Sequence, residues 1–530
     1  MQTKNYIGRS CLVVVLVAVG VVALGFVPSF EVMGYRFESV DVFSSLRAAE
    51  REVAECEYQA DMERLERELS EMHATQAQDT LLSCPPLCYM LGEATEHEPQ
   101  RRIVASADIR PDSTRNITPI EDFDTAAITR FDKFVDKLVA GDDVRIAFLG
   151  DSFVEGDIIT VDLRDELQRL FGGRGVGFVP CDIPYATARK SVKRTSRGWS
   201  SYSIMKPKAA PEALRNLFSV SGYISKGGVG ASTRWQSLDI YPTLDSCERA
   251  RVLFVSRDSS RVELTLNDTL THQLDITADE CLRQIMVDMP VRSVTFKVLY
   301  GNVICYGASL EGHGGVTVDN FSVRSNNGHA IFGTSASINR QMDDIVGYDL
   351  VVLQYGLNIM NPNQRNFSTY RDQLCDMVAY AERSFPEAAI LVLGVSDRWV
   401  VNEEGNYRPI GAVESLTKYQ RAAADSSHVA FWSIAQAMAE HGGIRGFVTR
   451  KWAAGDHTHI NYAGGKRIAQ SLVAAICERA YSRLVARECE ESTTEEYNAR
   501  LEEHNRRVDE RVDMVTGVIT REVLNGSVAQ

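Results

Sequence analysis

The sequence predicts an α/β protein built on a doubly wound parallel sheet, with an all-β sandwich inserted into it and a membrane segment ahead of it. Three observations carry this expectation. Apolar runs at 144–149, 350–355 and 390–393 lie in a chain where strand and helix patterns alternate. Between the first two, from about Arg234, β-rich runs follow one another closely, separated by turn signals. Near the start, residues 11–27 are uncharged and apolar.

That N-terminal run, within a segment taken as 1–30, is preceded by Lys4 and Arg9 and followed by Pro28. It sits at the short limit of the roughly 17–25 residues that span a bilayer. The positive residues ahead of it predict a cytosolic N-terminus, with the body anchored to the inner membrane and lying in the periplasm. The alternative is a cleaved signal peptide, with Ala23 and Gly25 as small residues near the cleavage point. Both readings export the body.

Residues 31–120 read as a helical stalk and linker. The stretch 45–72 carries a partial apolar stripe of Leu46, Val53, Leu65 and Leu69, and 73–120 is polar and contains proline. The first part of the α/β domain is expected over 121–200. There the strand-like run from Val144 to Leu149 enters Gly150, and Ile158, Ile159, Leu163, Leu167, Leu170 and Phe171 share one helix face. Gly172-Gly173 stops that helix.

The β-sandwich is expected over 201–315, on runs at 251–255, 261–266, 294–299 and 303–310. The second α/β part, 316–485, opens on the nearly continuous apolar run 350–355, which suits a central parallel strand. A helix over 370–385, a strand at 390–393 and a helix over 460–480 follow. In the charged tail, 486–530, Tyr497, Leu501, Val508, Val512 and Val515 stand at helical spacing. Stalk and tail helices are the expected elements for self-association.

The chain has 530 residues, 44% hydrophobic and 24% charged, as globular proteins have. Its net charge of −14 argues against nucleic acid as a partner, because phosphate binding needs a basic surface. The 11 cysteines have no metal-ligand spacing. Cys84–Cys88 and Cys281–Cys305 are conceivable disulfides in an exported protein, although sequence fixes no connectivity.

Three strings carry the chemistry: Gly150-Asp151-Ser152, Gly356-Leu357-Asn358 and Asp456-His457-Thr458-His459. The first two lie just past apolar strands and the third precedes the last helix. In such folds ligands bind at the carboxyl ends of the strands, so the three can meet on one face. Ser152 offers a nucleophile that needs a base to take its proton. His459 can be that base, oriented by Asp456 three residues earlier. His457 is the competing base. The Ser152 N–H and the Asn358 amide can stabilise an oxyanion. The plain alternatives are a helix N-cap for Ser152 and a turn residue for Asn358. None of this chemistry calls for a metal or cofactor.

These residues resemble the SGNH, or GDSL-type, hydrolases. Ser152 matches the first block of that family, Gly356 and Asn358 the third, and Asp456 and His459 the last. The resemblance covers 122–200 and 316–480. The stretch from Gly150 through Pro180 is similar to bacterial peptidoglycan O-acetylesterases, and so is the β insertion, which in those enzymes resembles a carbohydrate-binding module. It implies a flavodoxin-like sheet. It also implies a supporting role for Gly150, Asp151 and Gly356, and a second-block glycine whose N–H joins the oxyanion hole. Here that position, within 319–328, holds Ser325, and Gly328 is the alternative donor.

The resulting expectation is an exported serine esterase that removes O-acetyl groups from a cell-wall or other glycan, most of all peptidoglycan. An acetyl transferase, or a glycan-binding scaffold with an idle hydrolase core, are the alternatives. Trp199 and Tyr202, near the start of the insertion, are candidate sugar platforms or else core residues.

Overall fold

The computed structural model describes residues 30–32, 35–37, 60–74, 87–91, 102–112, 116–402 and 404–526. The expected membrane segment lies outside the described residues. No helix among those described is long and apolar enough to cross a membrane. Two units are distinguished, Met1–Glu68 and Leu69–Gln530. In the first, Phe30–Val32 pairs antiparallel with Tyr35–Phe37. Of the expected stalk, residues 60–74 are helical.

The second unit is organised by five parallel strands: β1 (Val144–Gly150), β2 (Val316–Ser322), β3 (Leu350–Gln354), β4 (Ala389–Gly394) and β5 (Ala430–Ser433). Their spatial order is β2-β1-β3-β4-β5, with Glu121–Asp122 added antiparallel at the β5 edge. Every residue of β1, β3 and β4 is buried, which is why these strands read as continuous apolar runs without alternation. The chain leaves β1, crosses to β2 on one side, and returns to β3 on the other. The loops after β1 and β3 therefore diverge, and a ligand crevice opens where the strand order reverses.

Helices cover both faces. α1 (Arg130–Ala140) and α2 (Thr160–Phe171) pack with the start of the long helix α8 (Tyr462–Gly526) on one face. α3 (Ala336–Val346), α4 (Ser368–Ser384) and α5 (Gly411–Ser426) pack together on the other. The short α6 (Ile434–Ala439) and α7 (Gly443–Thr449) join the first of these faces, where Ile434, Met438, Ile444 and Phe447 share the core with α1, α2 and α8. α8 buries Ile468, Ala469, Leu472 and Ile476 against the core. It then runs on without a break, so the expected final helix and tail helix are a single element. No proline stands between residues 466 and 525 to stop it, and Gly517 is the one glycine there.

The β layer joins ten strands, nine of them from the segment between α2 and β2. It differs from the expected 201–315 in its start. Gly177–Pro180 and Val192–Ser203 already belong to it. The second of these alternates between exposed and partly buried residues and is almost wholly polar, so it lacks an apolar signal. Leu87–Leu91, expected to be linker, is the tenth strand and pairs parallel with Arg283–Val291. It is a five-residue strand with no buried residue, too short for periodicity to reveal. Neither conceived disulfide is present. Cys88 and Cys305 are free thiols, and Cys281 is disulfide-bonded. Cys305 lies on a strand whose residues are all buried, inside the β core, where it packs as a small apolar group.

The β layer and the parallel sheet share a buried ion cluster. Arg145 on β1 bonds Glu311 at 2.6 Å and Asp319 on β2 at 2.8 Å, and donates to Ser309 at 2.7 Å. Arg251 of the β layer pairs with Glu311 as well. Asp319 also accepts from the Phe178 N–H at 2.7 Å and the Tyr348 hydroxyl at 2.8 Å. Removing one member strands the others without compensation. Arg145→Met is expected to lower the unfolding free energy by about 3–5 kcal/mol. Urea denaturation measures this, and an unchanged midpoint would contradict the role given to the cluster.

Candidate active site

The end of β1 makes a tight turn. A Cβ on Gly150 would lie 2.7 Å from the Val154 side chain and 2.9 Å from Gln354 Oε1, so no side chain fits between β1 and β3 there. Asp151 is fully buried and folds the turn. Its Oδ1 accepts from the Phe153 N–H at 2.8 Å, and its carbonyl accepts from the N–H groups of Val154 and Glu155. Ser152, between these anchors, is only partly buried. Its N–H donates to no other described residue.

The turn closes on Gly156 and Asp157, both in the left-handed region at φ 71° and 70°. For Asp157 that conformation is unfavourable and must be held by its surroundings. Asp157 accepts from Thr160 at 3.0 Å, Asn320 at 3.2 Å and Arg189 Nε at 3.1 Å, and from the Ser191 hydroxyl. Burial alone would raise its pKa. Arg189, Arg164 and these hydrogen bonds outweigh burial and hold the carboxyl well below the usual range. The turn that bears Ser152 is thereby fastened to α2, to β2 and to the β layer.

After β3 a second glycine is required. Gly356 has φ 120°, and a Cβ there would meet Val395 at 2.6 Å and Gln420 at 2.9 Å. The 3₁₀ turn Leu357–Ile359 then carries Asn358 back toward β1. Its Nδ2 donates to Asp151 Oδ2 at 3.0 Å and to the Asn326 carbonyl at 2.9 Å. Both amide hydrogens are therefore engaged in the resting site.

The third loop follows β2. Ser325 sits at φ 63°, the left-handed conformation that favours glycine. Serine adopts it here, and its N–H donates to no other described residue. The Gly328 N–H is committed to Asn326 Oδ1 at 2.9 Å. Of the two proposed second-block donors, only Ser325 leaves its N–H available.

The fourth loop leads into α8. His459 Nδ1 lies 2.7 Å from Asp456 Oδ2, and Asp456 Oδ1 accepts from the N–H groups of Thr458 and His459 at 2.9 and 3.0 Å. Burial would raise the Asp456 pKa, but the His459 ring and these N–H groups hold it below the ordinary carboxylate range. His457 has no such partner. Its ring stacks on Tyr407 at 3.7 Å between centroids, and Nδ1 lies 3.0 Å from the Gly455 carbonyl.

Two contacts dock the start of α8 on the turn that bears Ser152. The Tyr462 hydroxyl donates to the Gly156 carbonyl at 2.8 Å, and Gly465 lies so close to the Ile158 carbonyl that a Cβ would overlap it. His459, three residues before Tyr462, comes near enough for its ring to favour the ionised form of Asp151. No hydrogen bond joins Ser152 to His459 among the described residues. Such bonds often tighten only when substrate is bound. Among the described residues no cluster of three or more His, Cys, Asp or Glu is placed to hold a metal.

Sequence reasoning missed Asp157, Arg189, Ser191, Asn320 and Tyr462. A left-handed aspartate held by partners up to 163 residues away leaves no local pattern to read. The platform residues also resolve differently. Trp199 stacks on Phe296 at the edge of the β core, so one face of its ring is taken.

No family model matches the chain, and no curated protein matches it. A solved structure of a peptidoglycan O-acetylesterase is similar, with 21% identity over 68% of this chain and 99% of that one, at a TM-score of 0.56. Family two carbohydrate esterases from Cellvibrio japonicus and Clostridium thermocellum also align. They have 10% and 11% identity, cover 55% and 48% of this chain and 99% and 94% of theirs, and have TM-scores of 0.23 each. Similarity at that last level carries no argument. The first shows a shared fold, over nearly the whole of that chain.

Burial pushes the Asp151 carboxyl up to about 7, against the lowering pull of the Phe153 N–H and the His459 ring. An acid raised on folding stabilises the fold below its unfolded pKa of about 3.9, and that contribution is lost as pH rises through the folded value. Between pH 4 and 7 the wild type should therefore lose stability relative to Asp151→Asn, on the order of 4 kcal/mol in total. Parallel pH–stability curves for the two proteins would contradict the burial effect.

Proposed function

We propose that this chain is a serine esterase that removes O-acetyl groups from a glycan, with peptidoglycan as the first candidate substrate. The observation that carries the reading is the Asp456–His459 pair, held at 2.7 Å by a loop docked on the turn that bears Ser152. A buried elbow, an oriented histidine and unengaged N–H groups are the parts that acyl transfer needs.

In this mechanism His459 Nε2 takes the Ser152 proton as Oγ attacks the acetyl carbonyl. Asp456 fixes the ring so that Nδ1 carries its hydrogen and stabilises the imidazolium. The N–H groups of Ser152 and Ser325 meet the oxyanion. Asn358 joins them by exchanging one present acceptor for the oxyanion. The imidazolium then protonates the departing sugar hydroxyl. Water, activated by His459, releases acetate and restores Ser152.

Further parts of the proposal rest on sequence. Lys4 and Arg9 ahead of the apolar run support a body outside the cytosolic membrane, tethered or secreted. The 65-residue α8 supports self-association, since it extends well past the core it packs on. A second reading has one observation in its favour. The missing Ser152–His459 hydrogen bond suits a glycan-binding scaffold with an idle core.

Acetate release from O-acetylated peptidoglycan, run beside O-acetylated xylan, separates these readings. Ser152→Ala should lower the rate by several orders of magnitude while the thermal transition stays within about 0.5–2 kcal/mol of wild type, the range of an N-cap change. Full turnover in a folded Ser152→Ala protein removes the mechanism, and no turnover in wild type supports the scaffold. Asn358→Ala should cost less than the roughly 10²–10³-fold of a free oxyanion donor, because its amide must first leave a partner. A loss above that range in kcat would show that Asn358 is the principal donor.

A further inference from the structure

A cavity of about 240 Å³ lies between the catalytic turn and the β layer. Glu155 and Gly156 of the turn border it, as does Ser322, three residues before Ser325. Its walls are largely apolar, with Val179, Pro180, Val192 and Leu238 among them. It is smaller than the roughly 300–1,000 Å³ of pockets for drug-sized ligands, so it suits one substituted sugar residue better than an oligomer.

Its charge is unbalanced. Arg189, Lys193 and Arg194 line the cavity. Arg189 is committed to Asp157 at 3.0 Å. Of the nearby acids, one is paired with a cation and one keeps its charge. Glu155 pairs with Arg324 at 2.8 Å, and Asp182 accepts from the hydroxyls of Ser196 and Ser201 at 2.5 and 2.7 Å. Arg194 is partly buried, and its side chain makes no hydrogen bond, ion pair or ring contact with a described residue. Burial lowers its pKa, with Asp182 acting in opposition. Asp182 offsets part of the cost of placing a guanidinium beside an apolar wall, and a ligand anion would offset more. In a chain of net charge −14 a cationic cavity is also not a consequence of overall charge.

We propose that this cavity is a subsite for a carboxylate-bearing sugar of the glycan, anchored by Arg194. The inference rests on the reading of the chain as a glycan esterase. A guanidinium meets a carboxylate through two parallel N–H···O bonds, and the low dielectric of the apolar walls strengthens the pair. Val179, Pro180, Val192 and Leu238 offer C–H surface to the ring. The subsite adjoins the turn that carries Ser152, so the acetylated residue is an acidic sugar or its immediate neighbour. The enzyme would then select acidic glycans over neutral ones.

The test is equilibrium binding to the full chain by calorimetry, which needs no turnover and is decided even if no acetate is ever released. The ligands are a glucuronate-bearing xylo-oligosaccharide, its carboxyl-reduced counterpart, and inorganic phosphate as a generic anion. Wild type should bind the acidic oligosaccharide at least tenfold more tightly than the reduced one. Arg194→Gln should erase that difference and Arg194→Lys should keep part of it, with both circular dichroism spectra unchanged. Equal binding of the two oligosaccharides by wild type overturns the proposal. So does a preference that survives in Arg194→Gln, or phosphate binding as tightly as the acidic saccharide. If Arg194→Gln does not fold, the wild-type comparison and Arg194→Lys decide.

Discussion

The turn that bears Ser152 keeps its shape because Asp157 is buried as a charge and surrounded. Its left-handed backbone is unfavourable for any residue but glycine, and the bonds from Thr160, Asn320, Arg189 and Ser191 hold it there. Those partners come from α2, β2 and the β layer. The position of Ser152 therefore depends on the insertion as much as on the parallel sheet. Gly156, the residue before, gives its carbonyl to Tyr462, and through α8 the same turn sets where His459 stands. The cavity containing Arg194 lies on the other side of this clasp, with Arg189 shared between them.

The β layer is thus fastened to the parallel sheet at two places. The Arg145 cluster joins it to β1 and β2 at one end of the sheet, and Asp157 joins it at the other, beside the chemistry. Two buried charge clusters between the same two layers specify one docking arrangement, since sliding either layer would strand several ionised groups.

How much was legible beforehand follows from how local each signal is. β1, β3 and β4 are buried on both faces, so their apolar runs stood out. Gly150 and Gly356 stood out because the turns they serve tolerate no side chain. The Asp-x-x-His spacing of 456 and 459 was legible because the chain closes that hydrogen bond within three residues. Val192–Ser203 was not, because its partners in the sheet replace the apolar pattern a strand usually carries. The engagement of both Asn358 hydrogens was not legible either, since one acceptor is 207 residues away. Ser325 stood out as a departure from the expected glycine, and its φ of 63° shows the backbone conformation preserved without the residue that usually permits it.

The central claim is that Ser152 is an activated nucleophile. Intact-mass spectrometry after treatment with a serine-directed fluorophosphonate tests it most directly. The account predicts a single added phosphonyl group, mapped by peptide analysis to Ser152, and slowed severalfold or more by His459→Gln. A protein that stays unlabelled, or one labelled at another serine while Ser152 remains unmodified, would contradict it.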